Sequence, residues 1–236
     1  MRSMTDSQET VTLSQSRVLR DNPSSRRVVG VPKGESRLTE TVLHKPHQLI
    51  RPGPGRQLLI LEQVEIGMGR PDILILRVSP SALKARRKSV PRLANLAEAS
   101  VLGALRSADI SASGLSLSRA QSVARSLRSA GWLDRRGDVR ASPNIIADSL
   151  ILEAKISHWP VGIAQLARTR WLVSGVGLLV PASAVPLIRE AALEHNAIGL
   201  ATWDGKDVAW IRQAPRMPLS WVASMWLTEL ALRHTE

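Results

Sequence analysis

Apolar residues along this chain follow two different periods, and their order restricts the fold to helices packed on a sheet. Residues 57–66, 72–78, 149–155 and 177–180 read as strands: short apolar runs bounded by Gly, Pro, Asp or Ser. Between the second and third runs the period becomes helical. Leu93, Leu96, Ala97, Val101, Leu102 and Leu105 fall on one helix face, and 117–130 forms a second clear helical stretch ended by Gly131. Strand runs alternating with helical runs predict an α/β fold, a mixed sheet flanked by helices.

The rest of the chain fits around this frame. Residues 1–35 are polar and rich in Ser, Arg and Thr, and are expected to be a disordered basic N-terminal segment. A short helix is expected at 36–43, followed by a Pro/Gly-rich connector to residue 56. The run Lys84-Ala-Arg-Arg-Lys88 reads as a basic linker. Residues 134–140 read as a tight hairpin. Helices are expected at 160–171, 184–195 and 218–233, and strands at 198–203 and 208–211 joined by Asp204-Gly205.

Composition narrows the chemistry. The 236 residues carry a formal net charge of +12, which favours a polyanionic partner, with nucleic acid first. The absence of Cys excludes disulfides, Cys-ligated zinc and thiol nucleophiles, so metal sites must come from carboxylates and the five His. Phe and Tyr are absent too, and seven Trp supply all the aromatic side chains, which argues against RNA modules that stack bases on Phe or Tyr. No segment has the length of a membrane span and none has the apolar core of a signal peptide, so the expected location is the cytoplasm with no membrane partner. Gly67-Met68-Gly69 reads as a hairpin turn rather than the opening of a phosphate-binding helix, so no nucleotide cofactor is expected.

Chemistry concentrates in two short stretches. Pro71-Asp72 opens one strand, and Glu153-Ala154-Lys155 closes another. Alternate residues of a strand share a face, so Glu153 and Lys155 point together while Ala154 turns away. Asp72 from a neighbouring strand would complete a set of two carboxylates and an ammonium. The bland reading is an Asp at a turn and an exposed Glu–Lys pair, which contributes only about 0–1 kcal/mol. Against it, Leu150-Ile151-Leu152 predicts a central, buried strand, where charged side chains need a reason.

This pattern resembles the PD-(D/E)xK, or restriction-endonuclease-like, nuclease superfamily. The resemblance runs from about Arg56 to Ala214 and rests on Pro71-Asp72, Glu153-Ala154-Lys155 and Gln165 on the following helix. It implies a metal-dependent DNA endonuclease with Asp72, Glu153, Lys155 and Gln165 as catalytic residues. The Asp72 and Glu153 carboxylates and the Ala154 backbone carbonyl would hold Mg²⁺ or Mn²⁺. A further acid is expected, with Glu40 and Glu65 as candidates. Gln165 reads equally well as a polar residue on a helix shoulder, and His158 as a surface residue.

The long gap between the two motif halves implies an insertion. Residues 91–143 resemble a winged helix-turn-helix domain, carried by Leu115 to Ala120, the helix to Ala130, and Gly131-Trp132-Leu133 leading into the hairpin. The nuclease-like domain would then be discontinuous, 36–83 and 145–236. Candidate DNA contacts are Arg119, Ser122, Arg125 and Arg128 on the recognition helix, Arg135, Arg136 and Arg140 on the wing, and Lys84, Arg86, Arg87 and Lys88 in the linker. Two other functions stay open at this stage. One is a non-catalytic DNA-binding or regulatory protein on a nuclease-like scaffold. The other is a protein-interaction module, such as an antitoxin or adaptor. A homodimer or a partner protein is compatible with all three.

Overall fold

A computed structural model describes residues 17–19, 33–89, 91–140 and 145–235. Its elements in chain order are β1 (Arg17–Leu19), α1 (Lys33–His44), β2 (Gln57–Glu62), β3 (Ile73–Val78), α2 (Pro80–Ser89), α3 (Leu96–Arg106), α4 (Leu117–Ser129), β4 (Ile146–Ala154), α5 (Trp159–Thr169), β5 (Gly175–Pro181), α6 (Glu190–His195), β6 (Gly199–Trp203), β7 (Val208–Arg212) and α7 (Trp221–Arg233). The strands form one seven-stranded mixed sheet in the order β1-β2-β3-β4-β5-β6-β7. β2, β3 and β4 run antiparallel in succession, while β4, β5 and β6 are parallel. The parallel pairs need crossovers, and α5 and α6 lie within them.

Period-two alternation explains why both sheet faces are covered. Leu59, Leu61, Leu74 and Leu76 pack into one apolar cluster with Leu227 and Leu230 of α7. Their neighbours Leu58, Ile60, Ile73 and Ile75 turn the other way and pack with Leu38 and Val42 of α1. Each such side chain taken out of water contributes roughly 1.5–3 kcal/mol. On β4 the same alternation assigns Leu152 and Ala154 to the α1 face and Ile151 to the α7 face. Glu153, two residues after Ile151, therefore leaves the strand on the α7 side.

The turn between β2 and β3 is set by glycine. Gly67 and Gly69 adopt φ of +84° and +115°, and the Glu65 carboxylate accepts the Gly67 N–H at 2.8 Å. Two tryptophans pin this hairpin to the body. Trp226 Nε1 donates to the Ile66 carbonyl at 2.8 Å, and Trp171 Nε1 reaches Met68 Sδ at 3.0 Å.

Residues 91–140 add α3, a 3₁₀ turn at Ile110–Ser113, α4 and a short return in which Leu133 bridges Val139. Asn95 caps α3 by accepting the Glu98 N–H at 3.0 Å, while Glu98 Oε2 accepts the Ala94 N–H at 2.6 Å. Leu93, Val101, Leu102, Leu127 and Trp132 belong to the same apolar cluster as Leu166, Leu172, Trp226 and Leu230. The segment thus shares its core with the sheet-bearing body. The tightest approach is at Gly103 of α3, where a Cβ would lie 2.3 Å from Val222 Cγ2 of α7.

Several sequence expectations need correction. The supposed basic linker at 84–88 is the second half of α2. Within it, Arg86 is fully buried. Its guanidinium donates to the Glu229 carboxylate and to the Pro91 carbonyl (2.9 Å) and lies 5.0 Å from the centre of the Trp132 ring. Glu229, equally buried, also accepts from Arg92 Nε and from the Leu93 N–H, both at 3.1 Å. A side chain held in this way is not available to a DNA phosphate. The expected helix at 184–195 is split, because Pro186 and the extended backbone at Ile188 separate a 3₁₀ turn (Ala182–Leu187) from α6. Strand 57–66 ends at Glu62. Within the supposedly disordered 1–35, residues 17–19 pair in parallel with β2 and 33–35 open α1, while the remainder of that expectation lies outside the described residues. Among the described residues, no helix is long and apolar enough to cross a membrane.

Candidate active site

Strand register brings the two motif halves together. β3 pairs antiparallel with β4, with Ile73 opposite Leu152. Asp72, one residue before Ile73, therefore comes level with Glu153, one residue after Leu152. The Asp72 carboxylate secures this alignment, since its Oδ2 accepts the Ala154 backbone N–H at 2.8 Å.

Lys155 sits just past β4, and its N–H donates to the Leu179 carbonyl at 2.9 Å. Its Nζ lies 3.4 Å from Asp72 Oδ2, 3.4 Å from Glu153 Oε2 and 3.1 Å from the Ala154 carbonyl. Three oxygens thus converge on one ammonium. All three side chains are largely enclosed, at 16% exposed for Asp72, 5% for Glu153 and 14% for Lys155. Gly162 of α5 makes room for the lysine stem, because a Cβ there would stand 3.0 Å from Lys155 Cγ.

The electrostatics follow from this crowding. Burial pushes the Glu153 carboxyl up to about 8; the neighbouring Asp72 charge raises it further, and Lys155 only partly opposes both. For Lys155, burial works against the charged form. The Asp72, Glu153 and Glu35 carboxylates more than offset it and hold the ammonium above its ordinary value. At neutral pH Lys155 is a cation and a donor, while Glu153 retains a proton.

The other expected residues divide. Gln165 stands one helical turn beyond Gly162 on the same side of α5, and its Oε1 is buried with no hydrogen-bond partner among the described residues. Glu65 is spent on the β2–β3 turn, accepting from Gly67 and pairing with Arg70 at 3.6 Å. Glu40 is exposed and lines a cleft with Trp203 and Lys206. His158 is exposed and left-handed (φ 56°), just ahead of α5. The acid that the sequence reading missed is Glu35, in the first turn of α1, close enough to act on the Lys155 charge. Its signal was helical spacing: Glu35 precedes the buried Leu38 and Thr39 by three and four residues and so lies on the inward stripe.

As a cation site, the oxygen set is two carboxylates and a carbonyl. Among the described residues no three His, Cys, Asp or Glu side chains come together in one metal-binding group. The donors present are hard oxygens of the kind Mg²⁺ and Mn²⁺ take, with water filling the remaining positions. The raised Glu153 carboxyl, buried beside Asp72, marks a place where a cation would relieve negative charge.

The expected DNA contacts are spread more widely. Arg119, Ser122, Arg125 and Arg128 on α4, and Arg135, Arg136 and Arg140 after it, are all exposed. Lys84, Arg87 and Lys88 are exposed on α2, although Arg87 Nη2 is engaged by the Thr235 carbonyl at 2.6 Å.

No family model matches the chain, and no curated protein does. Among solved structures it is similar to a protein of unknown function from Silicibacter pomeroyi, with 12% identity, a TM-score of 0.44, and coverage of 87% of this chain and 89% of that one. A likeness at this level assigns neither a family nor a function.

Proposed function

We propose that this protein is a metal-dependent DNA endonuclease of the PD-(D/E)xK type, with residues 91–140 acting as a winged helix that positions the DNA. The observation that carries the reading is the convergence of Asp72, Glu153, Lys155 and the Ala154 carbonyl at the ends of two central strands, in an enclosed site. Structural strands and helices rarely place three ionisable groups there, since each charge costs several kcal/mol to desolvate. The order α1-β2-β3-β4-α5-β5 around the site and the sequence α3, 3₁₀ turn, α4, hairpin in the insert support the two halves of the proposal.

In this reading Asp72, Glu153 and the Ala154 carbonyl hold Mg²⁺ or Mn²⁺, which when bound supplies Lewis-acid offset of phosphate charge and a more acidic water. Lys155, kept protonated by its neighbours, would donate to the phosphate oxygen on which charge grows. The Gln165 Oε1 accepts from that water and orients it. Water adds to phosphorus and releases a proton to solvent, the bond to the leaving sugar oxygen breaks, and that oxygen takes up a proton, leaving one phosphate monoester and one hydroxyl end. The exposed arginines of α4 and of the following hairpin hold duplex phosphates while the site engages one strand.

The test is cleavage of supercoiled plasmid and of single-stranded DNA with Mg²⁺ or Mn²⁺. Nicking that disappears with EDTA and in Asp72→Asn is the expected result. Cleavage that survives in Asp72→Asn would overturn the assignment. One observation favours a second reading. Lys155 Nζ already contacts all three oxygens, so the cluster is partly self-neutralised as a structural ion network would be. A DNA-binding scaffold without activity fits that arrangement, and retained DNA binding with no cleavage in any metal would select it.

A further inference from the structure

Apolar residues occupy both sides of α5, and the body covers only one of them. Gln165, Arg168 and Thr169 are its only hydrophilic side chains. One side, with Gly162, Leu166 and Thr169, is buried on the sheet, where a Cβ on Gly162 would lie 3.0 Å from both Leu178 Cδ1 and Lys155 Cγ. Trp159, Pro160, Ile163, Ala164 and Ala167 follow i, i+1, i+4, i+5 and i+8 spacing and turn away from that side. Pro160, Ala164 and Ala167 are exposed, while Trp159 and Ile163 are half-buried. A helix that is apolar all round is ordinarily covered all round, so an uncovered apolar side marks a contact surface.

This outer side of α5 forms one wall of a groove of about 870 Å³. The break at Pro186 supplies the other wall, where Ile188 is extended and Leu187, Ile188 and Ala192 line the groove. Leu187 is 68% exposed, the most of any large apolar side chain among the described residues. From Trp159 to Ala167 the α5 wall runs about 12 Å at 1.5 Å per residue. A helix that docks through residues i, i+3, i+4 and i+7 needs about 10 Å. The small Ala164, Ala167 and Ala192 let such a helix come close.

Charge selects the occupant. Arg168 and Arg189 line the groove and are exposed, and among the described residues no Asp or Glu lines it. Arg168 Nε donates to the Ala164 carbonyl at 3.2 Å, which holds the side chain along α5. Its Nη atoms have no partner among the described residues and are placed to take a carboxylate. A second copy meeting this face about a two-fold axis would bring four guanidiniums together. Duplex DNA would offer phosphates to the two arginines but nothing to the apolar walls. We propose that the α5 groove docks an acidic amphipathic helix of a partner protein, with its apolar face on Trp159, Ile163 and Leu187 and its carboxylates at Arg168 and Arg189. The inference holds under either reading of the Asp72 centre, because Lys155 lies against the opposite, buried side of α5.

The test is fluorescence anisotropy of the full chain with fluorescein-labelled helical peptides of about 18 residues. The acidic probe carries Leu at i, i+3, i+4 and i+7 spacing, flanked by Glu. A second probe has Lys for each Glu, and a third has Ser for each Leu. Wild type should bind the acidic Leu probe better than the other two, and so should Arg51→Glu, a charge control at an exposed residue outside the groove. Ala167→Glu, a helix-compatible change at an exposed position, should weaken that probe at least about tenfold with the circular dichroism unchanged. Arg168→Glu with Arg189→Glu should shift the preference to the Lys probe. Equal binding of the Ser probe overturns the dock, leaving only attraction to a basic chain. No binding of the acidic probe to wild type, or equal affinity in wild type and Ala167→Glu, overturns it as well. Self-association abolished by Ala167→Glu would give the groove to a second copy, and duplex affinity lost in Ala167→Glu would give it to nucleic acid; either result overturns the partner helix.

Discussion

The proton on Glu153 should be visible as a pH dependence of stability that one substitution removes. In the folded chain this carboxyl titrates near 8, against 4.5 for the free group, because it is buried and faces Asp72. Between those values the folded state binds one proton more than the unfolded state, so stability falls as pH rises. The slope is about 1.4 kcal/mol per pH unit, which amounts to roughly 4 kcal/mol between pH 5 and 8. For a domain of this size that corresponds to a fall in Tm of about 10 °C. Glu229, also raised by burial, adds a term of the same sign. The informative quantity is therefore the difference between wild type and Glu153→Gln. The Gln variant keeps the shape, loses the titration, and should show a much flatter curve of Tm against pH. Mg²⁺ or Mn²⁺ should stabilise the wild type increasingly as pH rises, since the cation competes with that proton, and should do little for the variant. Parallel pH curves for the two proteins would refute the claim that Glu153 is buried beside Asp72 with a raised pKa.

Lys155→Ala should reduce cleavage by at least about a hundredfold while leaving DNA affinity within a few-fold, measured by plasmid nicking beside fluorescence anisotropy. Lost binding with normal cleavage per bound complex would remove Lys155 from the chemistry. Arg125→Glu with Arg128→Glu should weaken duplex binding and lower the slope of log affinity against log salt by about 2, with the circular dichroism unchanged. Unchanged affinity at low salt would mark the α4 face as a protein-binding surface. Glu229→Ala should destabilise the fold by about 3–5 kcal/mol in urea unfolding, because it leaves Arg86 buried without its carboxylate. A loss below about 1 kcal/mol would mean that Arg86 finds water.

The parts of the site that could be read from the sequence are those governed by local period. Apolar runs located β2, β3, β4 and β5, and i,i+2 spacing put Glu153 and Lys155 together, as their shared contact at 3.4 Å shows. What escaped depended on distant partners. Arg86 looks like its exposed neighbours Arg87 and Lys88 in a basic run, and it is buried only because Glu229 meets it from 143 residues away. Glu35 escapes a reading of the sequence because a helix face does not reveal which sheet end it will cover. Pro186 lies inside an apolar helical pattern, yet its missing N–H and fixed φ help to divide that stretch.

The charge state of the main site bears on both readings of it. With Glu153 protonated, Asp72, Glu153 and Lys155 sum to zero, so the enclosed cluster can be held without an uncompensated charge. Loss of the proton makes the sum −1, a sign that repels a phosphodiester. Exchange of the proton for a divalent cation makes it +1, a sign that attracts one. The raised Glu153 pKa by itself favours neither reading, because burial beside Asp72 raises it in an inert ion network as much as in a metal centre. The two readings differ in what replaces the proton: a divalent cation under the nuclease proposal, and nothing under the scaffold reading. The neutral resting state and the cationic loaded state then differ by one exchange at one carboxylate. A Glu153-dependent stabilisation by Mg²⁺ or Mn²⁺ that grows with pH is therefore the measurement that separates the nuclease reading from the inert scaffold.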